Sequence, residues 1–159
     1  MNKNIKYIVE DLFDDFDDNE QNDIMRDYIY QYFPMNKKEL VLIINEHYEN
    51  NIYNLNDIDT SNITSFASLF KYDKNTGRED FNISDWDVSN GEDFSFMFFG
   101  CKNFNCDLST WIVSNGKDFN NMFFDCEKFN CDLSKWNVGS GENFTRMFDF
   151  CENFTSDLS

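Results

Sequence analysis

Phe104-Asn105-Cys106-Asp107-Leu108-Ser109-Thr110-Trp111-Ile112-Val113-Ser114-Asn115 decides the fold, because the chain says nearly the same thing again 25 residues later. Phe129, Asn130, Cys131, Asp132, Leu133, Ser134, Trp136 and Val138 hold the equivalent places. Trp86, Val88, Ser89 and Asn90 hold them 25 residues earlier. The step continues beyond the quoted segment through Phe94, Phe119 and Phe144; Met97, Met122 and Met147; Phe98, Phe123 and Phe148; and Cys101, Cys126 and Cys151. Self-similarity at a fixed period of roughly 20–50 residues is the signature of a solenoid, whose units bury their apolar faces against one another.

Working outward, residues 59–70 align with residues 87–98 at a spacing of 28, as a degenerate first repeat. The three extra residues fall in the polar stretch 71–80, which contains Asn75-Thr76-Gly77 and reads as a surface loop. Within each unit the Asp107 to Val113 segment reads as extended. Ser114-Asn115 then caps a short helical turn to about Cys126, with Phe119, Met122 and Phe123 at i, i+3, i+4. Residues 52–58 alternate like a strand.

The N-terminal flank has a different period. Ile5, Ile8, Val9, Leu12, Phe13 and Phe16 predict an amphipathic helix over 4–17, with Asp14, Asp15, Asp17 and Asp18 at its acidic end. A second helix is predicted over 21–33, stopped by Pro34. A third follows Asn36, with Glu39 in a capping-box arrangement, and ends at Asn50-Asn51. Residues 1–51 are thus expected to form an acidic three-helix cap on a solenoid of residues 52–159, an α+β chain of about three and a half repeats.

The chain of 159 residues carries a net charge of −17. That balance speaks against direct binding to nucleic acid or anionic membrane, which need basic patches, and favours basic protein surfaces. The heavy use of Asn, Phe, Asp, Ile and Lys, all with A/T-rich codons, implies an AT-rich bacterial or viral genome. No apolar signal segment or membrane-length run is visible, so a cytoplasmic location with reduced thiols is expected, or the cell surface if the chain is a piece of a longer one.

Side chains able to do chemistry read mostly as structure. The tryptophan ladder lacks basic companions and reads as core. The cysteine ladders, Cys101/Cys126/Cys151 and Cys106/Cys131, lack the tight pairs of a zinc site and read as buried thiols. Asp107, Asp132 and Asp157 read as turn acceptors, and His47, the one histidine, as a packed core residue. No phosphate loop or nucleophile–base arrangement is present. No enzyme activity, cofactor or metal is expected.

The quoted segment, followed by Met-Phe and Cys, resembles the 25-residue repeat of BspA-like leucine-rich-repeat proteins over about residues 53–159. The resemblance implies a right-handed solenoid with strands on one side and helical turns on the other, used to bind other proteins. Two departures stand out: Gly91, Gly116 and Gly141 replace a usual apolar residue, and Phe94, Phe119 and Phe144 replace a usual Met.

Positions that vary between repeats are free to recognise a partner. Phe96, Phe99, Ile112, Phe124 and Phe150 are apolar where a solvated column would be polar, and Arg146 stands among them. The expected function is a non-enzymatic protein-binding module using these residues and Asp14, Asp15, Asp17 and Asp18. The alternative is an acidic inhibitor or nucleic-acid mimic, of a kind a phage could encode, that blocks the basic groove of a nucleic-acid-binding protein. Self-association through the C-terminal layer is a further expectation.

Overall fold

The predicted third helix forms, and its caps explain its limits. In a computed structural model, which describes residues 30–71 and 81–156, α1 spans Lys37–Glu49. Asn36 sits in extended conformation, and its Oδ1 accepts the Glu39 N–H at 3.1 Å. The Glu39 carboxylate in turn accepts from the Met35 N–H and the Asn36 side-chain amide, each at 2.8 Å. These bonds satisfy donors that a helix start leaves without partners. At the other end Asn51 turns left-handed (φ 59°), and the Ile52 N–H closes on the His47 carbonyl at 2.8 Å. Leu40, Ile44 and His47, at i, i+4 and i+7, are the buried face.

The second predicted helix does not reach its predicted end. Residues 30–33 are not helical: Tyr32 bridges to Ile58, and the Asp59 N–H donates to the Tyr32 carbonyl at 2.8 Å. Phe33 precedes Pro34, whose ring disfavours helical geometry in the residue before it. The rest of that helix, and the whole of the first, lie outside the described residues, so a three-helix cap is not what the structure displays.

Among the described residues there is no sheet, which corrects the strands expected over 52–58 and in each repeat. Pairing is confined to isolated parallel bridges, of which Ser65, Asp93, Asp118 and Asn143 form a series. The reason is where the backbone donors go. Trp86, Trp111 and Trp136 donate their N–H three residues back, to Ile83, Leu108 and Leu133. The Asp107 and Asp132 carboxylates take the Ser109 and Ser134 N–H groups at 2.9 Å, as the Asx-turn reading expects. Those bonds hold both carboxyls below the usual acid range.

Asn82 still exchanges backbone bonds with Tyr53 and Leu55 at 2.8 and 2.9 Å, and beyond it what links this leg to its neighbours is side chains. The Trp86, Trp111 and Trp136 indole N–H groups donate to the Leu55, Ile83 and Leu108 carbonyls at 2.8, 3.3 and 3.0 Å. Cys131 Sγ accepts the Leu108 N–H at 3.1 Å, and one repeat later Ser156 Oγ accepts the Leu133 N–H at the same distance.

The second leg is not a helical turn either, which corrects that expectation as well. Its N–H groups alternate in destination. Those of Phe94, Phe96, Phe98 and Gly100 donate to carbonyls of the next unit (Asp118, Asn120, Met122 and Phe124) at 2.8–2.9 Å. Those of Met97, Phe99 and Cys101 donate back within the leg, to Phe94, Phe96 and Phe98. Residues 96, 121 and 146, and again 100, 125 and 150, all have positive φ. A left-handed residue every few positions stops i→i−4 bonding from propagating. Phe119 to Asp125 repeats the pattern onto Asn143, Thr145, Met147 and Asp149.

The core is a set of aromatic columns. Phe66, Phe94, Phe119 and Phe144 stack at centroid spacings of 5.5, 5.4 and 5.2 Å. Phe70, Phe98, Phe123 and Phe148 stack at 5.8, 5.3 and 5.5 Å. Trp86 and Trp111 close it, each 4% exposed. Burial of this much aromatic area is the main stabilising term.

The two departures from the usual repeat turn out to be one feature. A Cβ on Gly91 or Gly116 would stand 2.4 or 2.3 Å from Cζ of Phe94 or Phe119. The ring three residues on lies over the glycine, so a larger aromatic there requires the missing side chain. His47 is buried, as expected, with Nδ1 2.9 Å from the Ile43 carbonyl and Nε2 3.2 Å from the Asp57 carboxylate.

Candidate protein-binding surface

The leg of alternating bonds carries most of the variable aromatics to one stripe. Phe99 and Phe124, in register, stack at 4.8 Å with their planes 3° apart. The register then yields Asp149, and the ring is supplied by its neighbour Phe150, which meets Phe124 edge-on at 5.1 Å and 71°. Phe96 lies beside Phe99 at 5.7 Å. Phe96, Phe99 and Phe124 are half-buried, while Phe150 is 67% exposed.

Sequence reasoning missed the residue that ends the stripe. Lys71 Nζ lies 5.1 Å from the Phe96 ring centroid and 5.0 Å from that of Phe99, a cation over two aromatic faces. The signal was present: Lys71 stands 28 residues before Phe99, one position past the aligned degenerate repeat. The register column is therefore Lys71, Phe99, Phe124, Asp149.

Backbone geometry sets two of these rings apart. Phe96 (φ 57°) and Phe150 (φ 64°) are left-handed, at places filled elsewhere by Ser68 and Asn121 and by Gly100 and Asp125. Gly, Asn and Asp tolerate that region, and a bulky side chain there is an outlier costing of order 1–2 kcal/mol. Arg146 (φ 55°) shares the oddity. Its Nε lies 3.9 Å from Asp149, and both side chains are exposed.

Charge flanks the rings. Asp125, next to Phe124, lies 3.6 Å from Lys102, which also pairs with Glu127 at 2.5 Å. Ile112 does not join the stripe by position: it is 62% exposed on the Asp107 to Val113 leg, between the inward Trp111 and Val113. Asp14, Asp15, Asp17 and Asp18 lie outside the described residues. A second apolar surface exists in the unit of residues 133–149. There Phe144 is 41% and Val138 37% exposed beside a hollow of about 380 Å³ lined by Leu133, Trp136, Met147 and Phe148.

The thiols serve the fold. Cys101, Cys126 and Cys151 donate to the Phe70, Phe98 and Phe123 carbonyls at 2.9, 3.0 and 2.9 Å. Burial pushes the Cys131 and Cys151 thiols up to about 11. Among the described residues no cluster of three His, Cys, Asp or Glu side chains is placed to hold a metal ion. No described helix is long and apolar enough to cross a membrane.

These features define a repeat protein whose units are joined by in-register backbone and side-chain bonds. The chain belongs to the family described as Mycoplasma protein of unknown function, DUF285, which matches residues 39–159. The match starts inside α1 and runs through every repeat. No curated protein matches the chain, and no solved structure does.

Proposed function

We propose that the chain is a short right-handed solenoid of the BspA-like leucine-rich-repeat kind that docks a protein partner through the stripe Phe96, Phe99, Phe124 and Phe150, without catalysing a reaction. The observation that carries the reading is the placement of Phe96 and Phe150. Both are rings at left-handed positions, where the fold would be served better by Gly or Asn. A bulky residue in a strained conformation at a surface position points to a role outside the fold. Exposed aromatics with a charged rim are also the composition of binding hot spots.

The test is affinity capture from native lysate with the wild-type chain and with Phe99→Ala, Phe124→Ala and Phe150→Ala variants, each checked for an unchanged melting temperature. Loss of one partner from all three supports the stripe. Unchanged capture by all three removes it. Capture repeated at high salt separates the alternative drawn from the −17 charge, since a mimic of nucleic acid should release a basic nucleic-acid-binding protein as ionic strength rises.

A further inference from the structure

The stripe already holds one cation, and that contact indicates what else it takes. Lys71 Nζ sits about equally over the Phe96 and Phe99 rings, at 5.1 and 5.0 Å. Ring faces attract ammonium and guanidinium groups through their quadrupole. The two rings at the other end of the stripe, Phe124 and Phe150, have no such cation over them among the described contacts, and Phe150 is the most exposed of the four. Carboxylates adjoin both: Asp125 follows Phe124 in the chain, and Asp149 precedes Phe150. Among the described residues the Asp149 carboxylate is paired only with Arg146, at 3.9 Å with both groups exposed. The chain as a whole carries −17, which draws cations toward any such surface.

From these observations we infer that the partner segment is basic: an extended stretch of a protein whose Lys or Arg side chains lie on the exposed Phe150 ring beside Asp149, as Lys71 lies on Phe96 and Phe99. This rests on the protein-binding reading above and deepens it. Lys71 has a second consequence. Because it occupies one ring pair from within the chain, it competes with the partner for that pair, so only the Phe124–Phe150 end is open at the start of docking.

The test uses three synthetic peptides of equal length, alternating leucine with arginine, citrulline or glutamate, titrated calorimetrically into the full chain. Citrulline keeps the shape of arginine, exchanges one terminal nitrogen for a carbonyl oxygen and removes the charge. The arginine peptide is expected to bind about tenfold tighter than the citrulline one, the factor a cation on an aromatic face supplies. Phe150→Asn, a side chain suited to the left-handed backbone, is expected to abolish that difference without lowering the melting temperature. Lys71→Ala is expected to tighten arginine-peptide binding several-fold by vacating the Phe96–Phe99 pair.

Equal affinity for the arginine and citrulline peptides would overturn the inference while leaving an apolar protein-binding stripe intact. Undiminished arginine preference in Phe150→Asn and Phe124→Ala would also overturn it, by placing the cation elsewhere on the acidic surface. Failure of the parent reading looks different: the native partner would then be captured equally by every ring variant, whatever these peptides do.

Discussion

Gly116 and Phe119 show how closely single residues are coupled in each repeat. The Phe119 ring is fully buried between Phe94 and Phe144, so it cannot swing away from a new Cβ on Gly116. Gly116→Ala should therefore destabilise the fold by about 1–3 kcal/mol, the cost of overpacking a filled core. Phe119→Met in the same chain should recover part of that loss, because the flexible side chain can share the space. Gly141→Ala, although its Cβ would stand only 2.1 Å from Phe144, should cost less, since Phe144 is exposed and can move. Denaturant titration of the single and double variants measures the coupling. Strict additivity of Gly116→Ala and Phe119→Met would mean the two residues do not share one volume. At Phe150 the expected sign is opposite: Phe150→Asn should stabilise by about 1 kcal/mol by relieving a left-handed bulky residue. A loss of stability there would mean the ring is retained for packing against Phe124.

At the scale of elements, α1 was legible because its signals are local: Asn36 with Glu39 at the start, an i, i+4, i+7 apolar face, Asn50-Asn51 at the end. The two legs of each repeat were not, because alternation and i, i+3, i+4 spacing each have more than one physical solution. Trp111 and Val113 point inside with Ile112 between them outside, as in a strand, but Leu108 is buried as well, and Asx turns and tight turns consume the donors a strand needs. The stripe was legible in its variable aromatic positions and not in Lys71, whose role depends on which ring the stack sets beneath it. The column of Cys106, Cys131 and Ser156 carries its own prediction. Cys131 accepts a backbone N–H as Ser156 does, so Cys131→Ser should fold normally. It should also alter the alkaline limb of stability. Burial raises the folded thiols of Cys131 and Cys151 from the ordinary 9.0 to about 11, so the folded chain holds protons that the unfolded chain has released. Their contribution is complete below pH 9 and declines as pH rises toward 11. Melting temperatures across that window should fall less steeply in a Cys131→Ser, Cys151→Ser variant. Equal slopes would mean the thiols are not desolvated in solution.

Taken as a whole, the molecule is long-range only in appearance: its contacts join each residue to one about 25 positions away and rarely further. That arrangement explains why periodicity revealed so much of the core. Phe94, Phe119 and Phe144 needed no tertiary information to be grouped, because the same environment recurs. It also explains why charge did not locate the aromatic stripe. The acids are spread over the molecule, whereas the stripe depends on Phe150 stepping out of register beside Asp149.

The alternating donors of the second leg have a mechanical corollary. Each boundary between units is a short row of bonds, from Phe94, Phe96, Phe98 and Gly100 in one case and from Phe119, Asn121, Phe123 and Asp125 in the next. A chain held by its two ends and stretched would load one such row at a time. Each rupture would pay out one period of slack, about 80–90 Å for 25 residues at the extended reach of roughly 3.3–3.6 Å each. Optical-trap traces should then show a staircase of equal treads, the protein serving as its own ruler. One tall step in place of the staircase would mean that the aromatic columns, running through every boundary at once, bind the units into a single spring.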